Sequence, residues 1–225
     1  MTPARARGAM LLLFDVAVDA VDEHDDWHTH EHMPERLAIP GFLRGTRWTR
    51  SAPGPRYCVL YEVAELAVLD SPAYRARLDH PTPWTARMMP RYVGMRRSLC
   101  EVLAADGDGI GSACLLVTFA SAEGLAAELR RRLAADVVPG LAAGRGLASC
   151  RLLGNSLQAE MTREQALRGR DGAVDSALWV TGYDVDAIEG LVAGDLRGER
   201  LVGFGAEAVE HTVFRLAYSL GAAGA

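Results

Sequence analysis

The chain has 225 residues, 49% of them hydrophobic, and a formal net charge of -5 with a pI near 5.7. That apolar content suffices for one large core or two small ones, and the acidic balance lacks the basic face that a nucleic-acid backbone demands. The apolar run at residues 10–14 stops at Asp15, too soon for a signal peptide, and nothing approaches the roughly 20 apolar residues that span a bilayer. A cytoplasmic chain is expected, with neither nucleic acid nor membrane as partner.

Residues 10–18 read as a buried strand, and 23–37 as a helix whose acidic start suits the positive end of its dipole. Ile39-Pro40-Gly41 stops it. Residues 41–50 and 56–63 read as two strands joined by the turn Ala52-Pro53-Gly54-Pro55. Helical segments interrupted by Pro72, Pro81 and Pro83 fill 66–89, and 93–103 alternates as a closing strand. The order β-α-β-β-α-β is the ferredoxin-like split unit. After the gap Asp106-Gly107-Asp108-Gly109 the order restarts: strand 112–119, helix 123–138, strand 146–154, a loop over 156–176, strand 177–185, helix 187–193 and strand 209–219.

The expected fold is α+β. Two tandem ferredoxin-like units, residues 1–105 and a degenerate 106–225, are expected to cover each other's bare sheet faces in an intrachain, barrel-like pseudo-dimer. Such a chain is a monomer, or forms a homodimer of pseudo-dimers, and needs no second copy to close its barrel. Cys58, Cys100, Cys114 and Cys150 form no C-x-x-C pair and lie in mostly apolar runs, as buried free thiols of a reducing compartment do.

The chemistry concentrates in residues 22–48, where His24, His28, His30 and His32 are interleaved with Glu31, Glu35 and Arg36. Histidine titrates nearest neutrality, so the cluster suits proton transfer, metal binding or holding an anion. His32-Met33-Pro34 with Arg47 finds an echo in Val138-Pro139 with Arg151, which keeps the skeleton and drops the histidines. If the imidazoles served folding alone, both copies would need them, so the asymmetry points to a site in the first half. A wheel of about 100° per residue gathers Trp27, His30, Met33, Pro34 and Leu37, aiming His30 at the core and His32 obliquely. Pro34 disturbs that phase, and both histidines stay candidates. Arg47 and Trp48 on the next strand suit anion recognition and ring stacking.

His28 with Glu31-His32 also spells H-x-x-E-H. A metalloprotease would need a third ligand from a distant helix, whereas a divalent metal on His28, His32 and Glu35 or Glu31 stays open as an alternative. No glycine pattern suggests a nucleotide site, and no GxSxG elbow suggests covalent catalysis.

The run Trp27, Glu31-His32-Met33-Pro34, Arg36-Leu37, Ile39-Pro40-Gly41-Phe42 and Arg47-Trp48 resembles the helix-one motif of the EthD-like branch of the dimeric α/β barrel superfamily. Ser71-Pro72-Ala73-Tyr74, Pro81-Thr82-Pro83-Trp84-Thr85 and Met89-Pro90 are similar to its second helix, so the resemblance covers residues 10–103. That superfamily includes cofactor-free cyclases, lactone isomerases, dehydratases and monooxygenases acting on aromatic or polyketide-like molecules, so the resemblance implies a fold branch rather than one reaction. The expected function is an enzyme of secondary metabolism or catabolism, free of organic cofactor, that isomerises, cyclises, dehydrates or decarboxylates such a substrate. His32 is its implied general acid or base. His30, Glu31 and Arg47 are the further catalytic candidates, and Trp27, Arg36, Trp48, Tyr61, His80 and Trp84 are candidates for holding the substrate. A noncatalytic carrier and a metal-dependent, oxygenase-like enzyme are the alternatives. The pocket is expected between helix one and the strands carrying Arg47 and residues 57–61, with His32 or His30 as the one titratable group in reach of a ligand.

Overall fold

The computed structural model describes residues 6–51, 53–156, 163–168 and 171–222. In chain order these form β1 (Gly8–Val16), α1 (Val21–Trp27), a π-helical turn (His28–His32), α2 (Met33–Leu37), β2 (Phe42–Thr49), β3 (Tyr57–Val63), α3 (Pro72–Asp79), α4 (Pro83–Met88) and β4 (Tyr92–Asp106). Then follow β5 (Ala113–Ser121), α5 (Ala126–Arg132), a second π-helical turn (Leu133–Val137), β6 (Leu147–Ser156), α6 (Arg163–Arg168), β7 (Ser176–Gly182), α7 (Val185–Ala193), α8 (Gly198–Gly203) and β8 (Ala206–Gly221). The protein is α+β. Its eight strands stand where the sequence pattern puts them, with ends shifted by a few residues.

Pro72 and Pro83 start helices rather than interrupt them. Each sits in a first turn, where a missing N–H costs nothing, behind a hydroxyl cap: Ser71 accepts from the Tyr74 N–H and Thr82 from the Thr85 N–H. Two short helices were not expected. α8 follows α7, and α6 falls inside the stretch expected to be a loop, of which residues 157–162 and 169–170 lie outside the described residues, as does Ala52 of the first turn. Six residues are too few for an apolar period to show itself in the sequence.

The chain divides into two compact units. Unit 1 holds Met1–Cys100, Ser156–Ala173 and Ala217–Ala225. Here β3 lies between β1 and β2 and is antiparallel to both, with Gly8 and Phe42 both opposite Val63 and a bulge between Phe42 and Arg44. Met10, Leu12, Phe14 and Val16 alternate along β1 with Tyr57, Val59, Tyr61 and Val63 of β3 and pack with Trp27, Met33, Leu37, Tyr74, Leu78 and Met88. Unit 2 holds Glu101–Asn155 and Val174–Leu216. Its β7 lies antiparallel between β5 and β6, and β8 pairs with the other side of β5. Its core joins Leu115 and Val117 to Leu129, Leu133, Val137, Leu178 and Ile188.

One offset relates many local features of the two units. Met33 N–H bonds to His28 O and Val138 N–H to Leu133 O, five residues back in each case, and the next residue is Pro34 in one and Pro139 in the other. A proline ring collides with the carbonyl four residues before it, and opening the helix to a π turn relieves the collision. Gly41 and Gly146 both take left-handed φ, +93° and +85°. A Cβ on either would meet Val68 or Ala187 at 2.5 Å, so the entry into β2 or β6 demands glycine. β6 repeats the bulge of β2, between Leu147 and Ser149.

Among the described residues no helix is long and apolar enough to cross a membrane. All four cysteines are buried, and none of them is in a disulfide.

Candidate functional site

Three histidines share the inner line of helix one. His24, His28 and His32 are all buried, and their rings succeed one another at 5.4 and 5.6 Å. In a regular α-helix a step of four residues overshoots a full turn by about 40°, which would carry the third ring off the line. The π turn is wider and takes that drift back. This is why the uniform wheel misassigns His30: it is exposed, with its Nδ1 3.0 Å from the Asp26 carbonyl oxygen. In unit 2 the equivalent positions carry Leu129, Leu133 and Val137, all buried. The fold accepts hydrocarbon on this line.

His28 is walled in. Its Nε2 lies 3.3 Å from the Tyr61 hydroxyl, and its buried Nδ1 has no hydrogen-bond partner among the described residues. Burial, reinforced by the proximity of His24 and by the charges of Arg47 and Arg36, holds the imidazole well below its ordinary pKa. His32 lies against the Trp27 ring at 4.4 Å, with Nε2 3.9 Å from Glu164 Oε1. Trp27 is fixed in turn: its Nε1–H donates to Glu31 at 3.1 Å and to Thr85 Oγ1 at 3.3 Å, and Thr82 Oγ1 donates to Glu31 at 2.6 Å. Glu31 therefore orients the ring behind His32.

Arg36, one turn on from His32, donates from Nη2 to Glu164 Oε2 at 2.6 Å and lies 5.7 Å over the Tyr74 ring. Burial alone would lower its pKa, but the Glu164 carboxylate outweighs it and holds the guanidinium charged. Arg97 of β4 donates to the Tyr74 hydroxyl at 3.4 Å, which donates to Met10 Sδ at 3.3 Å. These groups converge on a cavity of unit 1 whose atom-free space, open mouth included, is about 430 Å³. Its polar lining is His28, His32, Arg36, Tyr74, Tyr92, Arg97 and Glu164; Met10, Leu12, Leu78, Met89 and Met95 complete the wall.

The cavity thus lies against helix one in the first half, but its other walls come from β1, β4, α3 and α6 rather than from the strands carrying Arg47 and residues 57–61. Its titratable groups are several, not one. Arg47 is absent from the lining and straps helix one to β2, donating to the Asp25 carbonyl and Thr29 Oγ1, each at 3.1 Å. Tyr61 stands behind His28. Trp48 is buried outside the lining set. His80 is exposed, and Trp84 donates to Glu23 at 3.1 Å on the surface. Glu35 lies 3.8 Å from Arg77, and no group of three or more His, Cys, Asp or Glu suited to a metal ion exists among the described residues. Glu164 was missed because it lies in the stretch expected to be a loop. The signal was Thr162-Arg163-Glu164-Gln165, which has the Ser/Thr-x-x-Glu/Gln form of a helix start.

No protein-family model matches the chain, and no curated protein matches it. Solved structures do. A candidate monooxygenase from Lactobacillus acidophilus superposes with a TM-score of 0.64 at 8% identity, covering 96% of this chain and 97% of that one. The chain shares that fold. A candidate monooxygenase from Fusobacterium nucleatum gives 0.63 at 9% identity, over 96% and 95% of the chains. An anthrone oxidase-like protein gives 0.62 at 14% identity, over 99% and 96%. The chain shares a ferredoxin-like fold with these three proteins.

Proposed function

We propose that the protein is a cytoplasmic small-molecule enzyme that uses the unit 1 cavity for proton transfer on an aromatic or polyketide-like substrate, with His32 as general base and acid. The observation that carries this reading is the buried line of imidazoles. Two of the three rings line a cavity beside two guanidiniums, at positions where the equivalent helix of unit 2 has only hydrocarbon. His32 takes a proton from the carbon next to a carbonyl and returns it elsewhere in isomerisation, cyclisation and dehydration; in decarboxylation the C–C bond breaks with loss of CO₂, and His32 only delivers the proton that quenches the enolate. Arg36 and Arg97 outnumber Glu164 in the lining, so the wall is biased toward a developing enolate. Trp27 holds His32 in place. The motif of helix one supports placing the chain in the EthD-like branch.

The test needs no knowledge of the natural substrate. Enolisable bicyclic aryl ketones are incubated in D₂O and deuterium uptake at the α-carbon is followed by NMR. The protein should accelerate uptake, and His32→Ala should cost about 10²- to 10⁴-fold with the far-UV spectrum unchanged. Equal uptake with and without His32 would sink the reading, leaving the carrier. A second reading, oxygenation of the carbanion by dioxygen, is favoured by the names of the structural neighbours, a monooxygenase and an anthrone oxidase-like protein. Oxygen consumption that tracks deuterium uptake distinguishes it.

We also propose that residues 1–105 and 106–225 are copies of one split unit, paired within the chain as a pseudo-dimer. The shared π turn, positive-φ glycine and bulge support duplication. Sedimentation should show a 24.2 kDa monomer at low micromolar concentration. A dimer would leave the proposal standing, because pseudo-dimers can pair further; a structure in which each half pairs its sheet with a different chain would refute the intrachain pairing.

A further inference from the structure

His24 is a wholly buried imidazole that the chemistry above does not use. Phe14, Trp27, His28 and Tyr57 surround it with rings at 4.6–5.8 Å. Its two nitrogens lead in opposite directions. Nε2 lies 3.4 Å from the hydroxyl of Tyr92, which lines the cavity, and Nδ1 lies 3.3 Å from Asp25 Oδ1. The Asp25 side chain is 39% exposed and therefore reaches water. Burial tends to raise the Asp25 pKa, but the His24 hydrogen bond and the Arg47 charge outweigh it and keep the group an acceptor. The equivalent place in unit 2 is filled by the buried Leu129, so this position in the fold does not by itself call for an imidazole. Burying a polar ring is unfavourable unless both nitrogens are satisfied, and here both are, by groups on the two sides of one path.

We infer that His24 relays protons between the cavity and solvent, through Tyr92 on the inner side and Asp25 on the outer. The inference rests on reading the cavity as a proton-transfer site. An acidic hydrogen of the bound molecule passes to the Tyr92 oxygen as the Tyr92 hydroxyl proton passes to His24 Nε2, and the Nδ1 proton passes to the Asp25 carboxylate and on to water. One proton leaves, and each residue ends with the charge it began with. The same steps reversed return a proton to the product and restore the original His24 tautomer. With a ligand closing the mouth, this path connects the site to bulk water. His24 touches no substrate; it is a positioning and relay residue.

The probe is 2-naphthol, whose hydroxyl becomes strongly acidic on excitation. Its naphtholate-to-naphthol emission ratio is recorded when bound to the wild type, His24→Leu, Asp25→Asn and Asp25→Glu, with anisotropy reporting binding. His24→Leu and Asp25→Asn should lower the ratio by about tenfold at unchanged affinity, and Asp25→Glu should restore it. A role in packing alone would not be sensitive to Asp25→Asn. Equal ratios in bound wild type and variants overturn the relay while leaving His32 as base. Failure of 2-naphthol to bind the wild type overturns the aromatic cavity and the relay with it. Should His24→Leu not fold, Asp25→Asn and Asp25→Glu decide alone.

Discussion

Glu164→Ala is expected to lower the stability of the protein by about 3–5 kcal/mol, out of proportion to the loss of one side chain on a short helix. The reason is what it leaves behind. The Arg36 and Glu164 side chains are 3% and 4% exposed, and the guanidinium has lost its water in exchange for the carboxylate 2.6 Å away. Removing that partner strands a charge that cannot shed its proton, since the arginine pKa lies too high for neutralisation to offer an escape. Arg36→Ala should cost a similar amount through the stranded carboxylate. The double variant Arg36→Met with Glu164→Leu should instead lie close to the wild type or above it, because well-packed hydrocarbon replaces an ion pair whose desolvation consumes most of its attraction. Urea unfolding of the four proteins yields the cycle. If each single variant costs less than about 1 kcal/mol, the pair is wetter than its burial implies.

Acidification should destabilise the wild type far more than a variant carrying His24→Leu and His28→Leu. Both histidines have folded pKa values below the ordinary one, and for both burial is the first cause. Above the unfolded value of about 6.5 both states are neutral and nothing is lost. Below it, the unfolded chain takes up protons that the folded chain refuses, so stability falls as pH falls. The slope approaches about 1.4 kcal/mol per pH unit for each histidine until its folded pKa is reached. Between pH 7.5 and 5.5 the wild type should lose up to about 3 kcal/mol more than the double variant. Leucine already occupies both equivalent positions in unit 2, so the variant is a packing the fold tolerates. Parallel pH profiles for the two proteins would mean that these imidazoles are not neutral in the native state.

Much of this was legible in the chain. Periodicity and punctuation suffice for strands such as β1 and β3, because every residue of a strand buried on both faces declares itself. The concentration of histidines before Pro34, set against the bare echo before Pro139, marked helix one as the place of the chemistry. Which histidines turn inward was another matter. A wheel assumes a constant turn, and the π turn at His28–His32, just ahead of Pro34, changes the angle between these residues. His24 and His28, rather than His30, therefore join His32 on the buried line.

What the sequence determined by itself is the order of elements and the residue types available, since propensity, alternation and turn chemistry act over a few neighbouring positions. Only the tertiary structure decided the membership of the site. Arg36 meets Glu164 across 128 positions, and Tyr74, Tyr92 and Arg97 reach the same cavity from separate elements. Side chains so distant in sequence are brought together by sheet register and helix packing, and that convergence appears in no local pattern.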